Sequence, residues 1–167
     1  VPSKSLLHAA DRHAAGEDYS WARASARRDY MVNRPAGAAE PDDTSHVRAL
    51  EAAGAVVLRG EGRVTGRGVV TVTHEGTIQQ VHARNVVIAV GSTSKLPPIE
   101  GLAEAKPWTN REATLARELP RSLLVLGGGP TGCELAQVYA RFGVPVTIVQ
   151  SGPRLAPTEH PRSSDVL

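Results

Sequence analysis

The sequence predicts an α/β fold, with a Rossmann-like unit near its end and a small β-meander ahead of it. Three observations carry that prediction. Leu123-Leu124-Val125-Leu126 is an unbroken apolar run that enters Gly127-Gly128-Gly129-Pro130-Thr131-Gly132, the pattern of a buried strand, a glycine turn and a helix start. A second apolar run, Val86-Val87-Ile88-Ala89-Val90, ends on Gly91-Ser92 and reads as a strand covered on both faces. Ahead of both runs, residues 69–73 and 78–82 are rich in β-branched residues and flank Glu75-Gly76, a hairpin signal.

From the start of the chain, Pro2 suits the first turn of a helix, and Leu6, Leu7, Ala10 and Ala14 give it an apolar stripe that ends near Gly16. Asp18 or Ser20 is placed to cap a second helix carrying Trp21, Ala24, Arg28 and Val32, which Pro35 stops. Residues 36–43 form a loop rich in Gly, Pro and Asp. Thr44 or Ser45 then caps a short helix with Val47, Leu50 and Ala53 inside and Gly54 at its C-terminal end. Val56-Val57-Leu58 reads as a short strand and residues 59–63 as a turn-like link before the hairpin. Pro97-Pro98 with Gly101 forbids regular structure after the second apolar run, so the domain boundary falls near Gly101. Residues 108–119 read as a loop and a helix capped by Thr109 or Asn110. Beyond the glycine turn, Leu135, Val138, Tyr139 and Phe142 line one helix face and Gly143 ends the helix. Val144 to Val149 gives a second strand, broken only by Pro145 and Thr147.

Composition removes several function classes. The net charge is only +2 and the basic residues are scattered, which argues against a nucleic-acid surface. Aromatic content of 4% leaves no stacking platform for single strands. No apolar run approaches the roughly 20 residues needed to cross a bilayer, and no signal peptide is visible, so no membrane partner is expected. Cys133 is the only cysteine. No intrachain disulfide is therefore possible, a cytoplasmic setting is the default, and Cys133 reads as a small buried residue. No metal site is expected. The chain opens on Val1-Pro2 and closes on Ser163-Ser164-Asp165-Val166-Leu167 with no closing strand. The nucleotide unit thus has two strands where a mononucleotide half normally has three, and the expectation is a piece of a longer protein.

The chemistry is concentrated at the glycine turn. Gly127, Gly129 and Gly132 fit G-x-G-x-x-G: the first allows the tight turn, the second lets backbone approach a pyrophosphate, and the third lets helix and strand pack closely. The helix beginning near Thr131 offers free N–H groups and a positive dipole end to that phosphate. The residue that meets the adenosine ribose should close the second strand, about 20 residues after the glycines, and that residue is Gln150. An acidic side chain there would bind ribose hydroxyls and repel a 2′-phosphate. Gln150 hydrogen-bonds without charge and so leaves NADP open. But Ser151 stands where a clear NADP site would want an Arg, and Arg154 nearby reads equally as a solvated loop charge, so the balance leans slightly to NAD.

Three segments together resemble the flavoprotein pyridine nucleotide-disulfide oxidoreductases, the family of dihydrolipoamide dehydrogenase and mercuric reductase. Val1-Pro2-Ser3-Lys4 resembles the stretch after the second redox cysteine in C-x-x-x-x-C-[VI]-P-S-K. Ala89-Val90-Gly91-Ser92 through Pro97-Pro98-Ile99-Glu100-Gly101-Leu102 resembles the crossing A-T-G-S…P-x-I-x-G-L between the two nucleotide domains. Gly127 to Ala136 resembles G-x-G-x-x-G-x-E-x-A, including Glu134. Residues 16–43 match only in helical character. Val90 stands where the family usually has Thr, and Ser94 where Pro is frequent.

The resemblance implies Rossmann-like FAD- and NAD(P)-binding domains, both incomplete, with the β-meander in the FAD part. Residues 1–100 would be the C-terminal portion of the FAD domain and 101–167 the front of the NAD(P) domain. It implies FAD, with NAD or NADP, as cofactors. Lys4 would lie near the flavin and pair with Glu134, while Gly62, Val90, Gly91 and Ser92 would touch FAD through backbone. Gly127, Gly128, Gly129, Pro130, Thr131, Gly132, Glu134 and Gln150 would serve NAD(P). The redox cysteine pair would precede Val1, and a His–Glu acid/base pair with the interface domain of a homodimer would follow Leu167. No catalytic residue is therefore expected in this chain. The partner would be a small-molecule or protein-bound disulfide or another electron acceptor. Two other readings remain open: an FAD/NAD(P) oxidoreductase without a redox disulfide, of the NADH oxidase or ferredoxin reductase type, and a non-catalytic nucleotide-binding module.

Overall fold

The computed structural model describes residues 2–166, so Val1 of the N-terminal motif lies outside the described residues. The fold is mixed α/β, and the chain divides into two compact units, residues 1–42 with 94–167, and residues 43–93.

The larger unit is organised around α5 (Pro130–Arg141), which follows β4 (Leu123–Leu126) through the glycine turn and leads to β5 (Val146–Val149). The two strands pair in parallel, Leu123 opposite Val146 through Leu126 opposite Val149. This is the strand–helix–strand unit that the apolar spacing predicts. The second strand starts later than expected, at Val146, because Pro145 has no N–H for the ladder; its carbonyl instead accepts from Leu123 N at 2.9 Å. Nor is β4 buried on both sides: Leu124 and Leu126 are exposed while Leu123 and Val125 are half-buried. Alternation replaces full burial because α5 covers one face of the two-stranded sheet.

Helices α1 (Pro2–Ala14), α2 (Trp21–Met31) and α4 (Asn110–Leu115) pack on α5 or on one another. Leu6, Ala9 and Ala10 bring the small-residue side of α1 against Leu135, Val138 and Tyr139, and Trp21 sits between Tyr139 and Phe142 at ring distances of 5.4 and 5.2 Å. Full burial of side chains such as Leu6 and Val138 stabilises by about 1.5–3 kcal/mol each. Ser20 caps α2 by accepting from Arg23 N. Thr109 and Glu112 form a reciprocal capping box on α4. This helix stops at Leu115, short of the expected Leu119, where Ala116 turns extended. A short α6 (Pro161–Ser164) completes the unit.

The carbonyls at the end of α4 would be orphans, and side chains from elsewhere take them. Arg28, fully buried in the α2 stripe, donates to Thr114 O (2.6 Å) and Ala116 O (2.8 Å). Arg34 donates to Leu115 O, Tyr139 to Ala113 O and Trp21 Nε1 to Arg117 O. Asp29 Oδ1 accepts from Arg28 Nε and lies within ion-pair distance of Nη2 of both Arg28 and Arg34. Burial pulls the Arg28 guanidinium below its usual range, and the adjacent carboxylate opposes that pull.

In the smaller unit, α3 (Thr44–Ala52) precedes the meander β1 (Glu61–Gly66), β2 (Val69–His74) and β3 (Thr77–His82), antiparallel in that order. Glu75-Gly76 makes the β2–β3 turn, both residues at positive φ. Four expectations are corrected here. Residues 59–63 are not simply a link, since Glu61 to Arg63 pair with Thr73 to Thr71, and β2 overrides their turn-like composition. Val56 to Leu58 form no strand. The inner face assigned to α3 is not buried, as Leu50 is exposed and Val47 only half-buried. Val86 to Val90 is neither a strand nor buried, with Val87 at 87% exposure. Among the described residues no strand pairs with 86–90, and an extended run without a ladder leaves its backbone groups to water.

Candidate functional site

Local geometry at residues 127–132 follows from where each glycine sits. Gly127 has φ +107°, a region that side chains resist, and its N–H donates to Val149 O at 2.8 Å, tying the turn to the end of β5. A Cβ on Gly132 would lie 2.3 Å from Gly127 O, so only glycine lets α5 approach the turn. Gly129 differs. Its φ is −75°, and a Cβ built there meets nothing within 4 Å. Open space over the second glycine, beside a helix start, is what an approaching phosphate needs.

Gly129 is also the N-cap of α5 and supplies no capping side chain, while Pro130 occupies the first turn without an N–H to satisfy. The early donors of α5, around Thr131 and Gly132, are thus not claimed by a cap. Together with the dipole they put free donors and positive potential at the start of α5.

Gly128 is held from three sides. Its N–H donates to Gln150 Oε1 at 2.9 Å. Its carbonyl accepts from Ala156 N at 2.6 Å and from Cys133 Sγ at 3.4 Å. A side chain there would have to displace that of Leu155, whose Cδ2 lies 2.5 Å from where a Cβ would sit. Cys133 is buried, as its helix position predicts. Sequence reasoning missed both the Gln150–Gly128 bond and the packing of residues 155–156 on the turn. The only available signal was the separation of the strand end from the glycines, which places Gln150 beside the turn and does not orient it.

Arg154 also departs from the open-loop expectation. Its Nη1 donates to Ala156 O and Ser164 Oγ, and its Nη2 to Pro157 O and Glu159 O. It organises the loop after β5.

Lys4 on α1 and Glu134 in α5 form an ion pair, both partly exposed. A second pair, Asp11 with Arg141, joins the same two helices about two turns further along the same faces. The remaining sequence-predicted residues belong to the other unit. Gly62 lies in β1 opposite Val72, with room around it. Val90, Gly91 and Ser92 are exposed in a segment without regular structure, Gly91 at φ +69°. Among the described residues, no three His, Cys, Asp or Glu side chains are grouped to hold a metal ion, and no helix is long and apolar enough to cross a membrane.

Comparison with known proteins gives the same reading. A dihydrolipoyl dehydrogenase of Chlorobaculum tepidum is 39% identical over 119 residues, covering 71% of this chain and 25% of that protein. A mercuric reductase of Shewanella putrefaciens is 49% identical over 76 residues, 46% of this chain and 14% of that protein. Among solved structures, the HOCl-induced flavoprotein disulfide reductase RclA from Escherichia coli matches with a TM-score of 0.73 at 26% identity, over 98% of this chain and 35% of that one. The chain spans about a third or less of the length of these proteins. The family model described as pyridine nucleotide-disulphide oxidoreductase matches residues 1–167. With that match running along the whole sequence, the chain belongs to the pyridine nucleotide-disulphide oxidoreductases, oxidoreductases that work with FAD and NAD(P)H.

Proposed function

We propose that this chain is part of an FAD-dependent enzyme of dihydrolipoamide dehydrogenase type, which moves electrons between NAD(P)H, FAD and a redox disulfide carried by residues other than these. Residues 1–100 contribute to the FAD-binding domain and residues 101–167 form the front of the NAD(P)-binding domain. The observation that carries the reading is the turn at 127–132, with its open second glycine beside the uncapped start of α5.

In this reading the residues of the chain bind and orient and do not react. In the turn from Gly127 to Gly132, the N–H groups of Gly129, Thr131 and Gly132 seat the pyrophosphate, and Gln150 meets the adenosine ribose. The Lys4–Glu134 pair holds α1 against the first turn of α5, so that the flavin-side helix and the nucleotide-side helix keep a fixed separation. Gly62, Val90, Gly91 and Ser92 offer backbone to FAD. When bound, the two cofactors supply hydride and electron transfer. The electron acceptor is a small-molecule or protein-bound disulfide, the full-length protein is a homodimer, and its compartment is the cytoplasm.

Anaerobic absorption spectroscopy of the full-length protein tests the proposal. Flavin bands should appear, bleach with NADH or NADPH, and return on adding a disulfide substrate, with about two thiols per flavin released in the reduced state by the two-electron stoichiometry of a disulfide. A protein that purifies without flavin, or one whose flavin reduces with no thiol appearing, contradicts it.

A further inference from the structure

The contact between Gln150 and the glycine turn determines more than the shape of the turn. Gly128 N–H can only donate, so the atom 2.9 Å from it must be the carboxamide oxygen of Gln150. The amide is thereby fixed. One lone pair of its oxygen is engaged, and the group it turns away from the glycine turn is Nε2, with two hydrogens to donate. Nε2 has no partner among the described residues. It stands beside Gly152, where a Cβ would lie 3.4 Å away, so the missing side chain leaves it uncovered.

The Rossmann arrangement normally discriminates at this point by charge: a carboxylate accepts from the ribose 2′-hydroxyl and repels a 2′-phosphate, whereas an arginine receives the phosphate. Gln150 does neither. A ribose 2′-hydroxyl accepts from Nε2 through a lone pair, and a 2′-phosphate oxygen accepts from it equally well in geometry. The only nearby cation in sequence, Arg154, has both of its terminal nitrogens committed to Ala156, Pro157, Glu159 and Ser164. It cannot add the two-pronged phosphate contact that would make the site selective for NADPH, yet it has no carboxylate partner among the described residues to cancel its charge.

We propose that Gln150, locked by Gly128, makes the adenosine subsite accept both NADH and NADPH. The inference rests on the proposed NAD(P) role of the turn and adds the nucleotide class to it. A neutral donor gives the 2′-phosphate no penalty, and a fixed one gives the hydroxyl no lost contact.

The test uses the full-length flavoprotein with two probes, AMP and adenosine 2′,5′-bisphosphate, whose binding is measured by calorimetry, alongside flavin reduction by NADH and NADPH. In the wild type the two probes should bind within about tenfold of each other, and the two reductants should differ by no more than that. Gln150→Glu keeps an acceptor for Gly128 N–H and brings a charge, so the probe ratio should swing by about 100-fold against the 2′-phosphate. Gln150→Met removes the acceptor and brings no charge, so it should weaken both probes together with the ratio unchanged. A wild-type ratio beyond 100-fold in either direction, or a Gln150→Glu ratio equal to the wild type, overturns the inference. Failure of both probes and both reductants overturns the reading of the turn itself, a different result from strong selectivity for one.

Discussion

Two stretches of this chain have the same sequence logic and different fates. Leu123 to Leu126 runs into Gly127, and Val86 to Val90 runs into Gly91; both glycines take a positive φ, +107° and +69°. The first stretch is a strand in register with β5 and backed by α5. The second has no regular structure and is open to solvent. Apolar, β-branched residues followed by glycine therefore do not make a strand by themselves. Pairing does, by giving the backbone groups a partner. What differs is that β4 finds its partner 20 residues on, with the covering helix in between, while nothing within residues 43–93 offers 86–90 the same.

If that contrast is right, changes around β4–α5 should be expensive and equivalent changes around 91 cheap. The largest effect is expected at Arg28, whose guanidinium holds Thr114 O and Ala116 O with Asp29 beside it. Arg28→Ala leaves both carbonyls without their donor and Asp29 with Arg34 as its close partner, and should destabilise by about 3–5 kcal/mol, read as a fall in the denaturation midpoint of the full-length protein. Next comes Gly132→Ala. Its Cβ would press against Gly127 O, so backbone must move, and overpacking of this kind costs about 1–3 kcal/mol. The same change should weaken ADP-ribose binding. Gly91→Ala is the matched control: no atom lies near the new Cβ, and only the positive φ opposes it, at about 1 kcal/mol.

Tyr139 sharpens the comparison through pH. Its hydroxyl is buried and donates to Ala113 O at 2.7 Å, and burial pushes its pKa up to about 12. A raised pKa means the folded state keeps the proton longer than the unfolded chain does. The contribution is complete below the ordinary tyrosine value of about 10 and is lost as pH rises toward 12. Tyr139→Phe should cost about 1 kcal/mol at neutral pH and flatten the fall in stability between pH 10 and 12, measured by thermal unfolding across that range. The smallest effect is expected at Glu112, an exposed carboxylate whose bonds to Thr109 hold its pKa below the usual range. This depressed value makes the capping box strongest at neutral pH and weaker as pH falls through the carboxylate range. Glu112→Ala should cost about 0.5–1 kcal/mol at pH 7 and progressively less as the carboxylate is protonated at acid pH.

Much of the glycine turn was legible in the sequence, because Gly127 answers to a positive φ and Gly132 to a close approach, demands that the spacing encodes. The hairpin at Glu75-Gly76 was legible for the same reason. The burial of Arg28 was half legible: it falls on the Trp21–Ala24 stripe, but a stripe does not say which carbonyls a guanidinium will find. The orientation of Gln150 was not, because it depends on a backbone N–H in another element. The role of Arg154 in ordering the loop after β5 was not legible, because its four acceptors are loop carbonyls and a serine, which leave no pattern. The run at 86–90 was misread because composition reports a preference for burial and is silent on whether a neighbour is present.

Gly129 tests the central claim most directly, because fold and function make opposite demands on it. Its φ is ordinary and its surroundings are empty, so Gly129→Ala should leave the thermal midpoint of the full-length protein within the change expected of a weaker helix cap, under about 1 kcal/mol. The new methyl would occupy the space where the pyrophosphate meets backbone, and ADP-ribose affinity measured by calorimetry should fall by at least about tenfold, the equivalent of 1.4 kcal/mol. A folded Gly129→Ala protein that binds ADP-ribose as tightly as the wild type would contradict the assignment of this turn to a nucleotide.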